Sequence, residues 1–366
     1  MRLCIYGAGK VGKAFLQKEH NICASYSEVF FVDANPDLWD ARLYGISVKN
    51  IDYIDMSTEV IIASSLYWQE IYQICHANKF RVRGIFDIDT EQVYSYKEMC
   101  RLKKTVYMNG KYIEYCQDKK TKIDMGVLRF LQTGELFENI HEVAIMLSNL
   151  CNYAGVHKEC PASCVKQKEI LASETVFKVV DELASIQFAG TVCFHVYNEP
   201  LIDPRLFWFI EYVKRVLPAS LVEVYSNGYY LNTQMVIELQ EIGADILVVT
   251  GYGEAEYNRL IDMDVDMAYY VLFGNLDERL EHYIERKEPV LSDICRTYLT
   301  QVPIFSNGDI GVCCLDYLHQ YGLGNICHKS LRDILNSEHI VTLQRELLHG
   351  NRSMYALCKN CTWNTR

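Results

Sequence analysis

Three cysteines fall within fourteen residues in "CNYAGVHKECPASC", at Cys151, Cys160 and Cys164. Three thiolates leave a tetrahedral zinc one ligand short. They suit an iron–sulfur cube better, because three cysteines hold three irons of a [4Fe–4S] cluster and leave the fourth iron open for chemistry. The apolar run "EVAIMLSN" (142–149) just before them predicts a strand. The thiols then sit on the loop at its C-terminal end, where barrel folds keep their active sites.

A second constellation opens the chain. "RLCIY" predicts a buried strand, "GAGKVG" places Gly7, Gly9 and Gly12 directly after it, "KVGKAFLQK" predicts a helix, and "EVFFVD" a second strand ending in Asp33. Glycines in that context allow a tight turn and a close approach of phosphate to the helix N-terminus, and an acidic residue after the second strand can take a ribose hydroxyl. The expected ligand is NAD(P) or another nucleotide; a packing loop with no ligand is the alternative.

The elements that must position these residues form two α/β series. In the first, "EVIIAS" (59–64) and "RVRGIFDID" (81–89) are further strands with a helix between them. Residues 106–140 show weak periodicity and read as a connector with one helix near "MGVLRFLQ". The second series alternates strands at 142–149, 191–197, 221–228, 245–250 and 268–273 with helices. One helix carries Val176, Val179, Val180 and Leu183 on one face, and another is capped by Asn232 and stopped by Gly243. That alternation predicts a parallel sheet of about five strands, short of a closed eight-stranded barrel. In the tail, 301–314 reads as a hairpin around Ser306-Asn307-Gly308-Asp309, followed by one helix, "SLRDILNSEHIVTLQRELL", and a closing "CKNCTW".

With these elements in place, the chain resembles the radical S-adenosylmethionine (SAM) superfamily. The cysteines follow the first strand of the second series, although their spacing, C-x8-C-x3-C, departs from the usual CxxxCxxC. "FHVYNEPLIDPRL" is similar to the family's second-strand GGEP motif, which implies that Val196, Tyr197, Asn198 and Glu199 lie along the methionine part of SAM, with Glu199 near its amino group. "YSNGYYL" resembles the third-strand TNGxxL, which adds Ser226 and Asn227. "ILVVTGYGEAEYNRL" resembles the fourth-strand motif, with Thr250 where serine is common.

The tail pattern C-x12-G-x4-C at Cys295, Gly308 and Cys313, followed by C-x-x-C at Cys358 and Cys361, resembles the family's SPASM/twitch extension. The chain stops five residues after Cys361, which suggests the shorter twitch form: four cysteines for one auxiliary [4Fe–4S] cluster, with Cys314 a rival to Cys313 and structural zinc the main alternative. Cys4, Cys23, Cys75, Cys100, Cys116, Cys193 and Cys327 carry no partner pattern.

The fold class expected is α/β: a Rossmann-like nucleotide-binding domain (1–105), a connector (106–141), a partial (β/α) radical SAM barrel (142–290) and a small SPASM/twitch iron–sulfur domain (291–366). The resemblance implies an oxidoreductase that cleaves SAM, abstracts hydrogen from a sugar or nucleotide-linked sugar, and takes electrons from flavodoxin or ferredoxin. Peptide modification and sugar epimerisation are the enzymatic alternatives; a Rossmann binding protein with a zinc-bound tail is the non-enzymatic one. Asp316, Tyr252 and Glu254 are base candidates by strand-end position only, so no catalytic residue is assigned. A net charge of −11 disfavours nucleic acid. The absence of a signal peptide or an eighteen-residue apolar run predicts a cytoplasmic chain without a membrane segment, and fifteen cysteines there are thiols or ligands, not disulfides.

Overall fold

The computed structural model describes residues 1–157, 160–164, 167–276, 294–317, 320–359 and 361. The expected border between barrel and tail at 290/291 lies outside them. The chain divides into two compact units, Met1–Glu114 and Tyr115–Arg366. No helix among the described residues is long and apolar enough to cross a membrane.

In the first unit the strands are β1 (Arg2–Tyr6), β2 (Glu28–Val32), β3 (Arg42–Leu43), β4 (Ile46–Lys49), β5 (Thr58–Ile62), β6 (Arg81–Asp87), β7 (Gln92–Tyr94) and β8 (Tyr107–Met108). Leu3, Cys4 and Ile5 are fully buried, as a central parallel strand covered on both faces requires. The order β4-β2-β1-β5-β6 is parallel throughout, with β3 and β7 antiparallel at the edges. This is the doubly wound order, whose switch point lies beside β1. Helix Lys10–Lys18 packs Phe15 into the core with Leu3, Ile5, Phe31 and Phe86.

In the second unit β9 (Glu142–Ile145), β10 (Thr191–Cys193), β11 (Leu221–Ser226), β12 (Ile246–Tyr252), β13 (Ala268–Gly274) and β14 (Val302–Ile304) are all parallel, in the order β14-β9-β10-β11-β12-β13. Helices Ser173–Ala184, Leu206–Val216, Thr233–Glu241 and Glu254–Asp262 connect the strands. The first buries Val176, Val179, Val180 and Leu183 completely. Asn232 caps the third through its side chain, which accepts the N–H of Met235.

Three expectations need correction. Residues 110–133 form one 24-residue helix instead of a connector with a short helix. The hairpin at 301–314 is shorter than expected: β14 pairs with β9 on one side, and the return is a turn in which Phe305 N–H donates to Asp309 O at 2.9 Å, with an isolated antiparallel bridge between Ile304 and Ile310. The long tail helix is two, Leu331–Leu335 and Glu338–Leu348. It breaks at Asn336, whose side-chain oxygen accepts the N–H groups of Leu136 (2.7 Å) and Phe137 (2.9 Å).

Candidate active site and iron–sulfur centres

The loop after β9 is tied at its neck: Leu171 N–H donates to Leu147 O at 2.9 Å, and Asn149 Nδ2 donates to Gln167 O at 2.9 Å. Beyond the neck the chain folds back on itself. Cys160 N–H donates to His157 O, Ser163 Oγ donates to the same carbonyl, and Gly155 N–H donates to Ser163 Oγ. These turns leave Cys160 near enough to Cys151 and Cys164 for the thiols to feel one another's charge. Burial, with the neighbouring thiols Cys151 and Cys164 adding to it, pushes the Cys160 thiol up to about 11. Such thiols become ligands when a metal displaces their protons. The ring of Tyr252, at the end of β12, lies edge-on to Tyr153 (5.2 Å) and His157 (5.3 Å) and covers this loop.

The ends of the next two strands meet the loop. Glu199 N–H donates to Leu150 O at 2.9 Å. Its carboxylate is 1% exposed, and it accepts Leu201 N–H (3.1 Å) and Ser226 Oγ–H (2.9 Å) on Oε1 and Asn227 N–H (2.7 Å) on Oε2. Burial outweighs these donors and pushes the carboxyl up to about 7. Asn227 Nδ2 donates to Asn152 Oδ1 at 2.7 Å and lies 3.8 Å from Cys151 Sγ. Asn198 accepts Val196 N–H, while its own Nδ2 is buried without a hydrogen-bond partner among the described residues. Val196 is buried beside Ala144, Met146, Cys193 and Phe305, and Tyr197 packs on that cluster. Cys151, Glu199, Ser226 and Asn227 are thus brought together by direct contacts at one end of the sheet. Asn152 was not foreseen; a second polar residue beside a candidate ligand cysteine was the available signal.

In the tail, Cys295, Cys313, Cys358 and Cys361 line one cavity, about 310 Å³ including its mouth, walled by Val312, Leu315, Leu347 and Leu357. Cys314 is not part of that lining and packs against the Ala144–Phe305 cluster. Burial pushes the Cys358 thiol up to about 12 and that of Cys313 upward as well. Cys361 N–H donates to Cys358 O, closing the C-x-x-C turn. Gly308 has φ +87°, and a Cβ there would meet Cys327 Sγ at 2.7 Å. Of the base candidates, Asp316 is engaged in bracing the Cys313 turn, accepting Val312 N–H (3.4 Å) and Gln320 N–H (3.1 Å). Burial raises the Tyr252 hydroxyl pKa. Glu254 opens helix Glu254–Asp262.

The spread of the cysteines bears on which metal they suit. A single zinc with bonds of about 2.3 Å draws its thiolates to ~3.8 Å from one another. Among the described residues, the group of His, Cys, Asp and Glu ligand atoms drawn within 4.8 Å is Glu142, Cys193 and Glu223, so neither cysteine set is that tight. Wider sets suit thiolates that each bind a different iron. The Glu142 group already has its cation: Lys119 Nζ lies 2.6 Å from Glu142 Oε2, and Gln301 Nε2 donates to Oε1 at 2.5 Å. Neither oxygen of fully buried Glu223 has a hydrogen-bond partner among the described residues, and burial pushes its carboxyl up to about 8. One ammonium, one carboxylate and one neutral acid balance without a metal.

In the first unit the three glycines divide their roles. A Cβ on Gly7 (φ +116°) would lie 2.4 Å from Ala63 O, and one on Gly12 would lie 2.1 Å from Gly7 O. A Cβ on Gly9 would meet nothing within 4 Å. Asp33 sits beside the turn, its Oδ2 accepting Ala8 N–H at 2.9 Å and its Oδ1 accepting Asn35 N–H at 2.9 Å.

Residues 295–362 match the SPASM iron–sulfur cluster-binding domain. The chain is 26% identical over 232 residues to the S-adenosyl-L-methionine-dependent 2-deoxy-scyllo-inosamine dehydrogenase of Niallia circulans, covering 60% of this chain and 91% of that protein. Its fold is similar to the crystal structure of BtrN in complex with AdoMet and 2-DOIA, with a TM-score of 0.52 and 22% identity over 61% of this chain and 93% of that one. An open conformation of BtrN overlays with a TM-score of 0.49 and 21% identity over 61% of this chain and 92% of that one.

Proposed function

We propose that this chain, a radical SAM enzyme with a C-terminal SPASM-type iron–sulfur domain, oxidises an alcohol carbon of a sugar-like or aminocyclitol substrate. The observation that carries the reading is the pairing of an incomplete three-thiol set beside Glu199 and Asn227 with a complete four-thiol cavity in the tail. The relative's activity on an inosamine supports the substrate class.

Cys151, Cys160 and Cys164 would hold the cluster with the open iron. When bound there, cluster and SAM supply a one-electron cleavage that yields methionine and a 5′-deoxyadenosyl radical able to abstract hydrogen. Glu199 has lone pairs to spare after its three donors and offers charge to the amino group of SAM. The buried Nδ2 of Asn198 needs an acceptor, which a bound carboxylate or ribose oxygen provides. Ser226 and Asn227 hold Glu199 in place. Tyr252 and Tyr153 shield the loop from water. Cys295, Cys313, Cys358 and Cys361 would hold one auxiliary [4Fe–4S] cluster, the twitch arrangement; four protein ligands leave it an electron-transfer role.

In the first unit, the open space at Gly9 beside Asp33 supports a nucleotide such as NAD(P), in the Rossmann manner. A reducing cytoplasm suits fifteen cysteines that form no disulfide among the described residues, and a flavodoxin or ferredoxin is the electron donor this chemistry calls for.

The test is anaerobic turnover of reduced enzyme with SAM and 2-deoxy-scyllo-inosamine or candidate sugar nucleotides in deuterated water. The expected result is one 5′-deoxyadenosine per ketone product and no deuterium at carbon. Deuterium at carbon without a change in oxidation level would mark an epimerase instead.

A further inference from the structure

We propose that Tyr197 is the positioning residue through which occupancy of the SAM site is transmitted to the auxiliary centre. The inference rests on the reading above and deepens it. Tyr197 belongs by its backbone to the segment that carries Asn198 and Glu199. By its side chain it belongs to the tail. Its hydroxyl donates to Cys314 O at 2.5 Å, and its ring meets Tyr317 edge-on at 6.0 Å.

Cys314 is bonded directly to Cys313, which lines the four-cysteine cavity. The turn they share is stiff. Asp316 N–H donates to Cys313 O at 3.1 Å, the Asp316 carboxylate accepts the N–H of Val312, and Cys314 packs against the cluster that contains Val196. A shift of the backbone at 197 therefore moves the peptide beside a cluster ligand. Hydrogen bonding and solvent exposure around such a ligand help set the potential of the centre.

The role follows from the electron count of the oxidation. The alcohol carbon gives one hydrogen atom to the deoxyadenosyl radical. The resulting carbon radical becomes a ketone by losing its hydroxyl proton to water and one electron to the oxidised auxiliary cluster. An acceptor tuned by SAM occupancy is ready only when a radical is about to form.

The experiment is an EPR-monitored redox titration of the holoenzyme with and without SAM. The auxiliary signal is isolated by subtracting the spectrum of a Cys358→Ala/Cys361→Ala variant. In wild type, SAM is expected to shift the auxiliary reduction equilibrium several-fold; tenfold corresponds to about 59 mV for one electron. Tyr197→Phe, titrated at saturating SAM, should lose that shift while keeping its iron. Cys314→Ala, which keeps the carbonyl, should retain it. An unchanged shift in Tyr197→Phe, or none in wild type, overturns the proposal. If Tyr197→Phe sheds its auxiliary irons, the wild-type response together with that of Cys314→Ala decides: loss of the shift in Cys314→Ala assigns coupling to the thiol and overturns the role of Tyr197, and retention supports the carbonyl contact. Failure of the parent reading is seen separately, as reduced wild type that binds iron but does not cleave SAM.

Discussion

The Glu199 carboxylate accepts the main-chain N–H of Asn227 at 2.7 Å, which locks the loop after β10 to the end of β11. Asn227 in turn reaches Asn152 beside the first cysteine. The proposed cluster loop and the proposed SAM carboxylate are therefore one hydrogen-bonded unit.

Glu199→Gln keeps the side-chain volume and removes the charge, at the loss of the acceptor for one of its backbone N–H donors. SAM affinity should fall about 10- to 100-fold, the equivalent of one charge-assisted hydrogen bond of about 1.5–3 kcal/mol. Iron content should not change. Calorimetric titration of SAM into the anaerobic protein checks this, and an unchanged Kd would remove Glu199 from the site.

Reconstituted wild type should hold about eight irons, and the Cys151/Cys160/Cys164 triple alanine variant about four, with no SAM cleavage. Replacing Cys358 and Cys361 should leave SAM cleavage measurable while oxidised product disappears, because the substrate radical has no acceptor. Iron analysis and a 5′-deoxyadenosine assay on the same samples separate the two sets. SAM cleavage by the triple variant would refute the ligand assignment.

The glycines of the first unit should respond in opposite ways. Gly12→Ala drives a methyl group into Gly7 O and should destabilise the unit by about 1–3 kcal/mol, as overpacking does. Gly9→Val meets no protein atom near its Cβ and should leave the melting temperature nearly unchanged while abolishing NAD(P) binding. Equal nucleotide binding by wild type and Gly9→Val would leave this unit a docking or structural role.

Glu223 gives a pH prediction. Burial holds its folded pKa at about 8, above its ordinary carboxylate value of 4.5. The folded state therefore keeps a proton that the unfolded chain releases. Its stabilising contribution is complete below pH 4.5, declines as pH rises toward 8 and is gone above it. Glu223→Gln cannot ionise, so the fall in melting temperature between pH 6 and 9 should be smaller than in wild type. Parallel thermal scans would show it, and identical slopes would place the ionisation elsewhere.

Local chemistry was the legible part of this chain. The glycine turn, the Asn198-Glu199-Pro200 segment and the Ser226-Asn227-Gly228 turn each show in a few adjacent residues what the backbone must do there. Helix Gly110–Thr133 was not legible for a physical reason. Its buried stripe includes Tyr112, Tyr115, Ile123 and Phe130, and the part-buried Lys119 interrupts the apolar period. Its partner Glu142 belongs to a strand of the sheet, so the lysine reads as solvent-facing until the fold is known. Glu223, an acidic residue inside the mostly buried strand "LVEVYS", was the visible half of that clue. Tyr197 and Cys314 are 117 positions apart, and nothing in either neighbourhood announces the other.

The pairing of β14 with β9 makes the order of synthesis matter. Val302, Pro303 and Ile304 lie alongside Val143, Ala144 and Ile145. A ribosome must add more than 150 residues after β9 before that flank of the sheet can be covered. Until then the strand that leads to Cys151 presents a bare hydrogen-bonding edge, the kind of surface that recruits other chains. Cutting the tail away would therefore remove more than the proposed electron acceptor. It would leave the same edge permanently open, so a shortened barrel should be lost to aggregation before its chemistry could be measured.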